Sequence, residues 1–450
     1  MKRFFKKLKD IYDHKELRGK ILITLGFLLI YRIGCYIVLP GVDQQAVAEQ
    51  WQNLGGSGDN FNITDLLSLF TGGAFTTASI FALGIMPYIS ASIIMQLMGI
   101  AVPSIQKMQK EGESGRKKIN QWTRFLTIAI CLVQSPGYIL STIPVSARPQ
   151  EGFWLIAAVA ILTGSTLFVM WLGEKITDKG IGNGISMLIM IGIIATFPQN
   201  LFQEAVQNNA FFFLVEIAAF FIVIGASVAL VQAVRRVPVQ RAKMNLGAQG
   251  MPTGEEQRSY IPLKVNSSGV MPIIFAQAIM FVPLYLQQTE TFQESAIIAE
   301  LADFYGLWYN VLFFIMIVVF TYFYTAVTVN PNTIADDLKR QGSFIPGIKP
   351  GRPTAEFLDN ILSRVTLPGS LFLAFIAVLP AIVMYVGLTK TQGFSIFFGG
   401  TSLLIMVGVV LDTLQQIDSY LLSRHYEGLM KSGKMKGRPA AVGGIGGVGF

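Results

Sequence analysis

Charge is what this chain has least of: 14% of its 450 residues are charged, against 52% hydrophobic, and it holds two cysteines and two histidines. A water-exposed domain carries roughly 25% charged residues, so this chain has too little polar surface to face water on all sides. A mean hydropathy of +0.52 points to a membrane. His14 and His425 both sit in polar flanks, which excludes a histidine-rich metal site. Cys35 and Cys131 fall inside apolar runs and read as small core residues, not as a disulfide. The patterns GxSxG, HExxH and GxxxxGKS/T are missing, so no catalytic residue, metal or cofactor is expected and the chain is not expected to be an enzyme. Ion-coupled transport normally relies on acids or histidines inside the membrane. Here the candidates are Glu216, Asp412 and Asp418, and no pair of acids appears among them.

Long apolar runs are what the chain has in abundance. About 20 apolar residues cross the hydrocarbon core as a helix, and ten such stretches are read at 20–39, 75–101, 121–141, 153–173, 184–201, 211–233, 268–287, 306–328, 367–388 and 397–419. They predict an all-α polytopic membrane protein with ten transmembrane helices. The basic start MKRFFKKLKD precedes a run, Ile21 to Pro40, that is too long for a signal-peptide core and is followed by no small-residue cleavage site. It is expected to stay as the first span.

Orientation follows from lysine and arginine, which stay on the cytoplasmic side. The segments 1–20, 102–124, 173–183, 234–264, 329–364 and 420–450 hold 32 of the 35 basic residues. The alternate loops hold Arg148 and Lys390, and Arg32 lies within the first span. Both termini are therefore expected in the cytoplasm and the number of spans is even. The net charge of +8 thus gathers on one face. Two of the basic loops, 234–264 and 329–364, are longer than neighbouring helices require, and loops of that size are usually functional or disordered. Topogenesis and docking both account for them.

Residues 61–73, FNITDLLSLFTGG, are apolar but too short to span. Asn62 or Thr64 can cap a helix start, Asp65 suits its first turn, and Gly72-Gly73 ends it. Such a segment is either a surface amphipathic helix or a re-entrant piece, and the latter is tolerated only where protein or a water-filled cavity shelters it. In the second span Ile85 and Ile89 lie four apart on one helix face, and Ile185 and Ile189 repeat the spacing in the fifth. Gln134 and Asn266 are uncharged polar residues in apolar settings, which an interhelical hydrogen bond would explain.

From the second span onward the text resembles the SecY family of protein-conducting channels. The resemblance is carried by SIFALGIMPYISASII (79–94), KEGESGRKKINQWTR (110–124), WLGEKITDKGIGNGIS (171–186), IPLKVNSSGVMP (261–272), the NP and ADDLK pieces of 330–339, and FGGTSLLI (398–405), in order along the whole chain. It implies two pseudo-symmetric halves, spans one to five (20–205) and six to ten (206–419), around an hourglass pore, with a cytoplasmic segment 1–19 before them and a tail 420–450 after. By motif the pore ring is Ile85, Ile89, Ile185, Ile189, Ile274 and Ile405. The short segment becomes a re-entrant plug helix, with Phe61, Asn62, Ile63, Thr64, Asp65, Leu66, Leu67, Ser68, Leu69 and Phe70. The lateral gate runs between spans two and three on one side and seven and eight on the other, near Gln134 and Asn266. Ribosome and motor docking falls to Arg241, Lys243, Lys349 and Arg352.

The implied function is that of the central subunit of the Sec translocon in the bacterial inner membrane, passing unfolded secretory proteins and releasing signal or transmembrane segments sideways into lipid. The implied partners are SecE- and SecG-type small membrane subunits, the SecA motor ATPase, the ribosome with its RNA, signal peptides and nascent chains, and the bilayer. A ten-span secondary transporter of a small solute is the alternative. Three features depart from the family. Lys349 stands in PGIKPGR where Arg is usual, and lysine is a point charge where arginine is a planar fork. The loop between spans six and seven carries GAQGMPTGEEQ, and the tail ends in the Gly-rich AVGGIGGVGF, a flexible composition.

Overall fold

The computed structural model describes residues 14–47, 71–149, 152–241, 259–267, 269–287 and 303–431, with the isolated positions 49, 68, 298, 300 and 301. The first half contains α1 (Lys15–Gly34), α2 (Met86–Ala101), α3 (Pro103–Lys110), α4 (Glu113–Thr142), α5 (Gly152–Lys179) and α6 (Gly184–Gln207). The second contains α7 (Ala210–Gln232), α8 (Met271–Gln287), α9 (Leu307–Thr328), α10 (Pro331–Arg340), α11 (Arg352–Tyr385), the single turn α12 (Gln392–Ser395) and α13 (Gly400–Lys431). Every one of the ten predicted spans overlaps a helix. Among the described residues seven helices are long and apolar enough to cross a membrane alone, or eight with the bent pair α2–α3 taken as one. The others fall short through charge or length: α1 carries Arg18, Lys20 and Arg32, and α8 has 17 residues. Large apolar side chains such as Leu25, Leu29, Phe211, Phe221, Ile222 and Trp308 are exposed on the helices, a surface that suits hydrocarbon.

Local chemistry sets the helix starts. The side chain of Asn183 accepts from the amides of Ile185 and Ser186 at 3.1 and 3.4 Å and caps α6, and Asn330 caps α10 before Pro331 in the same manner. Between α2 and α3 the chain turns through 102°, at Val102 before Pro103, where proline disfavours helix in the residue ahead of it.

The second predicted span needs correction. It reads as helix from 75, yet α2 begins only at Met86, and residues 72–85 form a strap of successive turns. The backbone explains why. Gly72, Gly73 and Gly84 have φ of 66°, 87° and 52°, and Ala78 joins them at 48°, values no right-handed helix contains. The strap finds its hydrogen bonds elsewhere: the Ile80 amide donates to the Ile37 carbonyl (2.8 Å), the Leu39 amide to Ala78 (2.9 Å), and the Tyr138 hydroxyl to Phe75 (2.8 Å). The first span is shortened correspondingly, since residues 35–40 leave α1 to pair with the strap through a bridge between Val38 and Ser79.

The two long basic loops meet. Strand β1 (Val234–Arg241) pairs antiparallel with β2 (Ser259–Lys264) in a register from Val234↔Lys264 to Val239↔Ser259, and with β3 (Ser343–Phe344) through Gln240↔Phe344 and Arg241↔Ser343. Val237, Val239, Leu263, Leu338, Ile345, Leu358 and Leu362 make a small core that joins this sheet to α10 and α11. The ladder is one folded platform, not two independent loops.

Candidate functional site: an apolar constriction

Four helices bring the six isoleucines into one hydrophobic cluster. Ile85, Ile189 and Ile405 are buried within it, and Ile89, Ile185 and Ile274 pack against it partly buried. Ile85 caps α2 and Ile89 lies one turn on, its amide donating to the Ile85 carbonyl at 3.1 Å. Ile185 and Ile189 sit in the first two turns of α6, Ile274 in the first turn of α8 and Ile405 in the second turn of α13. Helix starts thus converge on the cluster, and each contributes isoleucine, which is apolar and stiff at χ1. The close approach of α5 to α6 needs Gly173, where a Cβ would meet Ile185 Cγ1 at 3.1 Å. At Gly408 a Cβ would meet Val270 at the same distance, seating α13 against the start of α8.

Beside the isoleucines stands a block of phenylalanines. Phe394, Phe397 and Phe398 are fully buried, and Phe197 and Phe220 join them with ring centroids 5.2–6.4 Å apart. Such aromatic pairs each add about 0.5–1.5 kcal/mol beyond the area they bury.

The structure corrects the acid inventory. The fifth predicted span stops at 201, but α6 continues to Gln207 and carries Glu204, which is fully buried. Glu204 accepts from the amides of Lys390 and Thr391 at 2.9 and 2.8 Å, and from the Thr391 hydroxyl. Asn208 donates to both Glu204 and the fully buried Glu216, so a pair of acids does exist. It lies at the ends of α6 and α7 and ties down the 388–391 connection. Hydropathy missed it because the end of a span was placed by apolarity, and a buried acid at a helix end looks like a loop residue.

The remaining predicted positions are dispersed. Gln134 is half-buried on α4 and Asn266 is buried just ahead of α8. Among the described residues α2 packs extensively on α4 and α8 on α9, and no comparably extensive packing joins one pair to the other. Lys349 and Arg352 are exposed, with Arg352 paired to Glu356 at 3.2 Å. Arg241 ends β1 beside Ser343 of β3, so the sheet joins one basic loop to the other. Lys243 and the plug positions Phe61, Asn62, Ile63, Thr64, Asp65, Leu66, Leu67, Leu69 and Phe70 lie outside the described residues, and Ser68 is the one plug position within them.

The fold is that of a polytopic helical membrane protein in which the starts of four helices converge on one apolar cluster. The SecY family model matches residues 79–414. A protein translocase subunit SecY of Streptomyces coelicolor is 41% identical over 437 residues, covering 92% of this chain and 97% of its own. That of Corynebacterium glutamicum is 39% identical over 438 residues, covering 93% and 98%. In fold the chain is similar to a solved protein-conducting channel, with a TM-score of 0.62 at 18% identity over 92% of this chain and 95% of that one. A structure of Sec61 in a canine ribosome–channel complex gives 0.58 at 17%, over the same shares of each chain. The chain belongs to the SecY family. Its function is that of the Sec translocon channel, the passage of proteins through the membrane.

Proposed function

We propose that Ile85, Ile89, Ile185, Ile189, Ile274 and Ile405 form the waist of the pore and that it is closed when empty. The carrying observation is that four helices, distant in sequence, deliver all six to one cluster. A secretory channel must pass chains of any sequence without leaking ions, and each unit charge that crosses gains about 2.3 kcal/mol per 100 mV. An apolar constriction meets both demands, because it excludes water when empty and binds no particular side chain when filled.

In this reading the chain crosses the bacterial inner membrane ten times, in two pseudo-symmetric halves (20–205 and 206–419), with both termini in the cytoplasm. The 32-to-2 division of loop basic residues supports that orientation. Residues 61–70 cap the waist from outside as a plug. A structural neighbour is described as a SecY protein whose plug domain stabilises the closed channel and maintains a membrane seal, which favours the same role here. The seam between α2/α4 and α8/α9, with Gln134 and Asn266 near it, opens sideways to let apolar signal segments reach lipid. The two basic loops joined by the β1–β3 sheet, with Arg241, Lys243, Lys349 and Arg352, dock the ribosome, including its RNA, and the SecA motor. SecE- and SecG-type subunits complete the membrane assembly, and signal peptides and nascent chains are its cargo. The channel itself is not an enzyme, and the work comes from partners on the cytoplasmic face.

Reconstitution tests this. Proteoliposomes holding the chain, its small membrane partners and the motor ATPase are expected to protect a secretory precursor from protease only with ATP. Solute uptake driven by an ion gradient, with no protection of precursor, would favour the transporter instead.

A further inference from the structure

Arg32 is the one basic residue that belongs to none of the loops. It stands in the last turn of α1, where the helix dipole favours a cation, but its side chain is engaged elsewhere. Nη1 donates to the carbonyl of Gly72 at 2.8 Å, and Nη2 to the Tyr36 hydroxyl at 2.9 Å, with the guanidinium 4.9 Å from the Tyr36 ring centre. Among the described residues no carboxylate pairs with it. Gly72 is held on its other side as well. It adopts the left-handed φ of 66°, and a Cβ there would lie 2.7 Å from Arg32 Nη1 and 3.0 Å from Gly192 Cα of α6. The preceding carbonyl, that of Thr71, receives the Cys35 thiol at 3.9 Å. Two successive carbonyls at the root of the strap are therefore gripped by α1.

The far end of the strap folds back onto this root. A Cβ at Gly84 would meet Thr71 Cγ2 at 3.2 Å and the Tyr31 hydroxyl at 3.9 Å. The next residue is Ile85, buried in the isoleucine cluster. Arg32, the 71–72 turn and Ile85 are thus one packed unit, and the guanidinium is its charged tie. Arginine suits the task because its planar fork serves the carbonyl and the hydroxyl together, whereas lysine offers a single point.

We propose that Arg32 is a positioning residue for the seal: it anchors the root of the strap and thereby holds Ile85 in the waist. This rests on the assignment of Ile85 to the pore ring. Loss of a charge-assisted hydrogen bond shifts a local opening equilibrium by roughly tenfold to a hundredfold, and two readouts follow it.

The native reporter is Cys35, 3% exposed beneath Thr71. In a Cys131→Ala background, with each rate divided by the thiolate fraction taken from that variant's own pH–rate profile, Arg32→Met is expected to raise Cys35 alkylation by about tenfold or more, and Arg32→Lys by clearly less. The second readout is resting anion efflux from proteoliposomes, which Arg32→Met should raise toward the level of Ile85→Ser, with Arg32→Lys in between. Should Arg32→Met not fold, the graded response of Arg32→Lys decides. Unchanged Cys35 alkylation in folded variants overturns the proposal. Faster alkylation with no added efflux, while Ile85→Ser leaks, overturns it too, because the anchor would then hold the strap without holding the seal. A tight Ile85→Ser would instead overturn the ring assignment, and with it the role given to the anchor.

Discussion

Replacing Ile85, Ile189 and Ile405 together by serine is the sharpest perturbation of the waist. The three are 6%, 5% and 4% exposed, come from three different helices, and are the most buried of the six. Burying one isoleucine is worth about 1.5–3 kcal/mol relative to leaving it wet. The triple change therefore removes roughly 5–9 kcal/mol of the free energy that keeps water out of the constriction, and adds three hydroxyls that water can solvate. An ion drawn by 100 mV gains only about 2.3 kcal/mol, less than what the triple change removes. Truncation also costs stability, about 2–5 kcal/mol per site where the packing cannot collapse, which is why the isosteric control matters. Leucine at the same three positions keeps the volume and costs under about 1.5 kcal/mol each. Single-channel recording in planar bilayers should show a steady resting conductance for the serine triple and silence for the leucine triple. A folded serine triple that stays silent, or a leucine triple that leaks as much, would refute the assignment of these residues to the seal.

Cysteines placed at Ser57 and Lys349 should label from opposite sides with an impermeant reagent, and same-side labelling would end the ten-span topology. Charge reversal at Arg241, Lys243, Lys349 and Arg352 should weaken ribosome binding and motor-driven translocation and steepen their loss with salt, since exposed charges are readily screened; unchanged affinity would leave these loops only a topogenic role. Glu204→Ala strips acceptors from two amides and a hydroxyl of the 390–391 connection and should cost roughly 3 kcal/mol or more, read as a lower thermal midpoint, with Glu204→Gln milder. An unchanged midpoint would mean that the clasp carries no load.

Apolar length and the placing of lysine and arginine made the order of the helices legible, because both are properties of consecutive residues. What escaped depends on residues far apart. The strap is as apolar as a membrane helix, so hydropathy extends the second span through it. Only the positive φ at Gly72, Ala78 and Gly84, and the pairing with residues 35–39, separate the two. The sheet joins β1 to a strand of two residues more than 100 positions away, with prolines at 238 and 262 in the paired strands, and nothing local announces it. The six isoleucines were singled out by the family motifs alone, since the i, i+4 spacing is common in membrane helices; what the structure adds is that they share one cluster. Glu204 was invisible for the opposite reason: its charge marked it as an end, and only the fold shows that Asn208 and the 390–391 amides make a buried site for it.

The distribution of strong contacts decides which edge of the molecule can part. One edge is stitched at several depths. At one end Lys20 donates to the Tyr420 hydroxyl at 2.7 Å, and the Gly182 amide to Gln416 at 2.9 Å, tying α1 and the α5–α6 connection to α13. Further along, α6 packs on α13, and the phenylalanine block locks α6 and α7 to the turn ahead of α13. At the other end Glu204 clasps residues 390 and 391. Each of these joins a segment of the first half to one of the second. Among the described residues α2 and α4 share no comparable packing with α8 and α9. On the proposed lateral gate, a strain that separates the halves, such as an apolar segment entering the proposed waist, is expected to part the structure where fewest contacts are lost, beside α2/α4 and α8/α9. In that proposal the stitched edge is the hinge. In that proposal the same isoleucines serve both states: α6 and α13 keep Ile185, Ile189 and Ile405 on the hinge side, while α2 and α8 carry Ile85, Ile89 and Ile274 with the moving edges.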